Sequence, residues 1–297
     1  MKIPPYLKKG DKIGIVATAR KISRAELQPA VDILKQWGLE PVLSENIFGE
    51  DHQFSGTDEQ RAADLQRMLD DDSIRAVISA RGGYGTLRII DKLDLSKFIA
   101  HPKWVVGYSD ITVLHSHLHA LGIATLHATM PINFAKHEEA TGTLRTALFG
   151  GPLSYFIPHH HLNREGKAEG ETIGGNLSLL YALAASKSDT STHGKILFIE
   201  DLDEYLYHID RMMLNLKRSG KLSKLKGLII GGFTDMKDNP VPFGKTAEEI
   251  IREAVEEYDY PVCFGFPAGH IEKNCALPFG TKTILEVNEN ASVKFIP

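Results

Sequence analysis

Cysteine is nearly missing: Cys263 and Cys275 are the only two in 297 residues. Two are too few for a disulfide framework or a cysteine-built zinc site, so a reducing compartment is the simplest reading. Long apolar runs are missing as well. The first such run, residues 13–17, is too short for a secretory signal or a membrane span. A cytoplasmic location with no membrane partner is therefore expected. Charge of one sign is not in excess either, with 34 basic against 38 acidic residues and a net charge of −4, so nucleic acid is not an expected partner. No internal repeat or low-complexity segment stands out.

What is present is an ordinary globular composition, 42% hydrophobic and 24% charged, long enough for two domains. Apolar runs alternate with helical patterns through the first half. Strands are predicted at residues 12–17, 41–43, 74–80, 104–106 and 123–129. Helices are predicted at 23–37, stopped by Gly38, at 57–69, opened by a Thr57/Gln60 capping box, from about Thr86, and from Ile111 to Gly122. Alternation of this kind predicts an α/β fold with a parallel sheet whose sites lie at the strands' carboxyl ends. Between residues 150 and 170 Pro, Gly and polar residues crowd together, which predicts one domain over 1–155, a linker over 156–169 and a second domain over 170–297. That second part is mixed: strands at 195–199, 227–230 and 262–264, helices at 207–216 and 247–258, and a closing hairpin around Asn288-Glu289-Asn290.

The turn Gly107-Tyr108-Ser109-Asp110 lies between a predicted strand and a predicted helix. A nucleophilic serine needs that setting, because the hydroxyl is presented at the strand end and free helix N–H groups face a developing oxyanion. Ile111 stands where an elbow motif has Gly, and a Ser-Asp pair before a helix is also an ordinary N-cap. This segment alone leaves both readings open.

Other candidates also sit at strand ends. Glu200 follows KILFI and is placed to receive a histidine N–H, although its neighbours Asp201, Asp203 and Glu204 equally suit a solvated acidic turn. His270 follows the 262–264 strand in a loop shaped by Pro267 and Gly269. The loop Arg81-Gly82-Gly83-Tyr84-Gly85 lets backbone approach an oxyanion or phosphate, but has neither dinucleotide nor P-loop spacing. Gly174-Gly175-Asn176 has the same character. His115, His117 and His119 spread around their helix without the Glu of a zinc-peptidase motif, and His159-His160-His161 suits a polar loop. No metal is expected. Ser109, Glu200, His270 and a glycine loop together are the parts of a hydrolase.

Five of these motifs, RGGYG, GYSD, GGNL, the E-D-x-x-E-x-x-Y-x-I-D-R-M run from Glu200, and AGH followed by LPFG, occur in one order along nearly the whole chain. In this the sequence resembles the LD-carboxypeptidases, or muramoyltetrapeptide carboxypeptidases. The resemblance implies a flavodoxin-like N-terminal domain, a smaller β-rich α/β C-terminal domain and a cleft between them. It implies a serine peptidase with a triad of Ser109, His270 and Glu200, no cofactor, and a homodimer. The substrate it implies is a murein tetrapeptide that loses its terminal D-alanine during cell-wall recycling. Microcin C self-immunity proteins, which act on peptidyl-adenylates, are relatives with the same triad. Backbone N–H groups of Asp110 and Gly83 are the expected oxyanion donors, Arg81 the expected partner of the substrate carboxylate, and Glu204 an alternative to Glu200. A two-domain solute-binding protein and a metal amidase are the rival readings.

Overall fold

Local signals and buried β-branched runs build the N-terminal domain of the computed structural model, which describes residues 1–296. Its strands are β1 (Lys12–Val16), β2 (Glu40–Leu43), β3 (Ile74–Ser79), β4 (Trp104–Gly107) and β5 (Thr125–His127). They run parallel in the order β2-β1-β3-β4-β5, which is the flavodoxin-like arrangement. Helices α1 (Arg24–Gln36) and α2 (Asp58–Asp70) each start with a capping box, Ser23 with Glu26 and Thr57 with Gln60. Helices α3 (Ser96–Ala100), α4 (Thr112–Ala120) and α5 (Glu138–Leu148) complete this part. Every residue of β4 is buried, as a central parallel strand covered on both faces requires.

The remaining elements are β6 (Leu153–Ile157), β7 (Gly166–Asn176), α6 (Leu177–Ala182), β8 (Ile196–Leu202), α7 (Leu206–Arg218), β9 (Gly227–Thr234), α8 (Ala247–Ala254) and β10 (Val262–Cys263), then β11 (Leu277–Phe279), β12 (Lys282–Val287) and β13 (Ala291–Ile296). A seven-stranded sheet of order β10-β9-β8-β7-β12-β13-β6 forms the C-terminal domain. Strands β7 to β10 are parallel, and β12, β13 and β6 extend the sheet antiparallel. The long strand β7 serves both blocks, pairing with β12 over its first six residues and with β8 over its last five.

Three expectations need correction. The helix expected from Thr86 is replaced by two single 3₁₀ turns, Thr86–Arg88 and Ile90–Lys92. Thr86, Ile89 and Ile90 are β-branched and lose side-chain freedom in a helix, and the Thr86 N–H is held by the Asp110 carboxylate. The expected linker at 156–169 contains the end of β6 and the start of β7, whose partners β13 and β12 lie more than a hundred residues later. Finally, β11 leaves the C-terminal domain and joins the first sheet antiparallel to β5. One continuous core therefore runs from Ile13 and Trp104 through Phe279 to Phe198 and Phe266, packing the two domains together.

Candidate active site

Ser109 follows β4 and has a left-handed backbone, φ +62°. It caps no α-helix: its turn, Ser109–Ile111, has no side-chain cap, so the N-cap reading is set aside. Gly107 must lack a side chain here, since a Cβ at its φ of +158° would meet Ile111 at 2.7 Å. Gly82, from the loop after β3, lies against the hydroxyl. A Cβ on it would lie 3.1 Å from Ser109 Cβ and 3.2 Å from Oγ. Gly83, the glycine singled out from sequence, has φ +120° and opens instead onto Arg20, where an added Cβ would meet Cγ at 2.5 Å.

Glu200 lies within β8 rather than past its end, where the pairing with β9 shifts register between Ile199 and Asp201. A bulge of this kind turns a side chain away from simple alternation, and Ile199, Glu200 and Asp201 are all buried in succession. His270 lies on the loop after β10. That loop is fastened to β9 by Gly232 N–H donating to the Ala268 carbonyl at 2.9 Å and Thr234 Oγ1 to the His270 carbonyl at 3.2 Å.

These three side chains meet although they come from two sheets. Glu200 Oε2 accepts from His270 Nδ1 at 2.6 Å, and Ser109 Oγ donates to His270 Nε2 at 3.0 Å. A carboxylate only accepts, so the ring proton sits on Nδ1 and Nε2 is free to take the serine proton. Glu200 is fully buried. Burial by itself would lower the His270 pKa, but the Glu200 charge and hydrogen bond, with Asp201 behind them, raise it above its usual 6.5. Glu204 is engaged elsewhere, accepting from His208 Nδ1 at 2.6 Å.

Asp110 is buried and its Oδ2 accepts the Thr86 N–H at 2.8 Å, so its side chain ties the glycine loop to the serine turn. Arg81 donates through Nη1 to the Lys21 carbonyl at 3.1 Å. With Arg20 and Lys136 it lines the same cleft, of about 790 Å³, as Ser109 and His270. Among the described residues none of these three cations forms an ion pair.

Tyr108, Asn176 and Asp201 were not singled out as site residues from sequence. The Tyr108 ring lies 5.0 Å from that of His270. Burial, reinforced by the Glu200 charge, pushes its hydroxyl to about 12. Asp201 is raised to about 7 by burial and the neighbouring Glu200, and accepts from Asn176 Nδ2 and the Ser178 N–H at 2.9 Å each. Asn176 N–H also donates to Thr112 Oγ1 at 3.0 Å, linking β7 to the helix that follows Ser109. Only the GGN motif carried a signal for this link.

Two of the three helix histidines, His115 and His117, are otherwise occupied. His115 Nε2 donates to the Gly107 carbonyl and its Nδ1 accepts from Thr125, both at 2.9 Å, and burial lowers its pKa to about 4. His117 Nδ1 bonds Ser188 at 2.8 Å. His159 Nδ1 donates to the Glu289 carbonyl at 2.8 Å, while His160 stacks on Phe264 with ring centres 5.3 Å apart. Among the described residues no cluster of three or more His, Cys, Asp or Glu side chains is arranged to hold a metal ion. No helix there is long and apolar enough to cross a membrane.

The sequence matches the LD-carboxypeptidase N-terminal domain over residues 13–128 and the LD-carboxypeptidase C-terminal domain over residues 169–285. It is 35% identical to the probable murein peptide carboxypeptidase of Bacillus subtilis, over 98% of this chain and 93% of that one. The chain belongs to the LD-carboxypeptidase family. The muramoyltetrapeptide carboxypeptidase of Oxalobacter formigenes superposes with a TM-score of 0.88 at 26% identity, covering 96% of this chain and 99% of its own. The microcin C7 self-immunity protein of Escherichia coli is 26% identical over 96% of this chain and 93% of its length. Family members of both kinds thus share this two-domain α/β frame.

Proposed function

We propose that this LD-carboxypeptidase family member is a serine peptidase that releases the terminal D-alanine of murein tetrapeptides in the cytoplasm, as a homodimer, during cell-wall recycling. The observation that carries the serine mechanism is the hydrogen-bonded chain from Ser109 through His270 to buried Glu200 at the cleft. His270 takes the hydroxyl proton as Ser109 Oγ attacks the scissile carbonyl, and Glu200 stabilises the imidazolium. The backbone N–H groups of Asp110 and Gly83 receive the oxyanion, with Gly82 allowing the loop to lie against the nucleophile. His270 then protonates the leaving D-alanine amine, and water hydrolyses the acyl-enzyme with His270 again as base.

Arg81, Arg20 and Lys136 support an exopeptidase reading, because a carboxypeptidase must hold a terminal carboxylate and these cations face the cleft without ion-pair partners among the described residues. The substrate reading draws on relatives named for murein peptides. The likeness to a microcin C7 self-immunity protein favours a second reading, hydrolysis of a peptidyl-adenylate with the same triad. Chromatography of digests of murein tetrapeptide, its L-alanine-terminated counterpart and a peptidyl-adenylate separates them. Free D-alanine is expected, with the L-alanine peptide at least ~10²-fold slower, because displacing the carbonyl by about 1 Å costs that much. Cleavage of the adenylate with the tetrapeptide untouched would keep the triad and replace the substrate.

A further inference from the structure

Arg61, at the start of α2, is a charged side chain that is only 1% exposed. A guanidinium taken out of water is costly unless its N–H groups find acceptors. Here they do. Nη1 donates to the carbonyl of Thr18 and, at 3.0 Å, to that of Gly85. Nε donates to the Gly56 carbonyl at 3.4 Å, and Nη2 to the Asp58 carboxylate. The Phe54 ring closes one face, its centre 4.8 Å from the guanidinium carbon. Asp58 does not depend on Arg61 for a counter-charge, since it also pairs with Arg88 at 2.7 Å. A planar fork of donors suits a place where several fixed acceptors must be reached at once.

Two of those acceptors lie in loops that carry the site. Thr18 belongs to the loop after β1, two residues before Arg20, and Gly85 closes the loop after β3, which holds Gly82 and Gly83. Strands β1 and β3 are neighbours in the sheet, so one side chain reaches both loops. The Gly85–Thr86 peptide is bound at both ends. Its carbonyl accepts from Arg61, and its N–H donates at 2.8 Å to Asp110, the residue after Ser109. The buried hydroxyls of Thr18 and Thr86, 2.8 Å apart, tie the same two loops a second time. The clamp leaves no room for a methyl: a Cβ on Gly85 would meet Arg61 Nη1 at 2.7 Å and Ala19 Cα at 2.9 Å. Hydrogen bonds thus run from α2 through one peptide to the neighbour of the nucleophile. The loop they anchor is the one that lays Gly82 against Ser109 Oγ.

We propose that Arg61 is a positioning residue for the oxyanion site: it holds the Gly85–Thr86 peptide between itself and Asp110, and so fixes the Gly82-Gly83 backbone against Ser109. This rests on the serine-peptidase reading, and the experiment separates the two. A fluorophosphonate places its phosphoryl oxygen where the oxyanion forms and needs no peptide recognition. The saturating rate and half-saturating concentration of Ser109 labelling are measured for the natural chain, Arg61→Met, Gly85→Ala, Asp110→Ala, the Arg61→Met/Asp110→Ala pair and Arg88→Met. Each is assayed at a temperature where thermal unfolding shows it folded. Arg61→Met and Gly85→Ala should each lower the saturating rate about tenfold to a hundredfold, as a displacement of about 1 Å does, at unchanged half-saturation. A role confined to stability would leave the rate of the folded protein unchanged. The pair should lose no more than the slower of its two single variants, because both act through one peptide. Arg88→Met, which also takes a cation from Asp58 but no donor from a loop carbonyl, should label at the natural rate. Labelling of Arg61→Met at the natural rate, losses that add in the pair, or an Arg88→Met as slow as Arg61→Met would each overturn the proposal. If Arg61→Met does not fold, Gly85→Ala decides: a natural labelling rate in that variant overturns the proposal. A natural chain that is not labelled at all overturns the serine reading, and this proposal with it.

Discussion

Replacing Glu200 by Gln changes almost no volume and removes one buried charge, which makes it the sharpest probe of the site. Glu200 is fully buried and 2.6 Å from His270 Nδ1, so its charge acts where water screens little. With charge centres roughly 4 Å apart and an effective dielectric near 20, the carboxylate stabilises the imidazolium by about 4 kcal/mol. This stabilisation is felt when His270 becomes charged in the transition state, so its loss corresponds to about 10³-fold in turnover. Gln also offers an NH₂ to the ring and so permits the wrong tautomer, which adds to the loss. Release of D-alanine from murein tetrapeptide, followed at saturating substrate, is the assay, with thermal unfolding to verify the fold. KM should change little, because Glu200 is buried beneath His270 and does not line the cleft. Glu204→Gln is the internal control: its partner His208 is half-buried, and such a pair is worth about 1 kcal/mol or less. A loss below about tenfold in Glu200→Gln, or a larger loss in Glu204→Gln, would refute the reasoning.

Ser109→Ala should fold and lose about three to six orders of magnitude in turnover, checked by single-turnover assay and by loss of phosphonate labelling. Gly82→Ala should also fold, yet lose about ten- to a hundredfold in kcat, because its new methyl would lie 3.2 Å from Ser109 Oγ; a natural rate there would show that the loop does not touch the reacting atom. The pH profile of kcat/KM should fall on the acid side with an apparent pKa above 6.5, since the base must start neutral and the Glu200 partnership favours its charged form. A flat profile from about pH 5 to 8 would count against a histidine base with a pKa in that range.

The flavodoxin-like frame was legible because its signals are local. Ser23/Glu26 and Thr57/Gln60 write their capping boxes within four residues, and a run such as 104–106 buries every side chain, and 74–80 every one but Arg75, only in a covered parallel sheet. Thr86 misled for the opposite reason: helical spacing was present, but a carboxylate from Asp110, 24 residues later, captured its N–H. The end of strand β6 read as linker, and its start as part of the first domain, because its pairing partner β13 lies well over a hundred residues away, and five residues flanked by Gly and Pro carry little pattern of their own.

For the candidate site the division is similar. The sequence alone determined the kinds of group available: a serine in a strand-to-helix turn, an acid and a histidine at later strand ends, and glycine loops between them. Those are short-range features, set by residue type, φ preference and spacing. Which acid faces the histidine was decided by tertiary structure, through the register shift at Glu200 and the capture of Glu204 by His208. Tertiary structure likewise placed Gly82, not Gly83, against the hydroxyl, and brought β11 across to the first sheet so that the His270 loop and the Ser109 turn lie within one core. Distances between elements 70 to 160 residues apart depend on how two sheets pack, and packing depends on every side chain at the contact rather than on any local run.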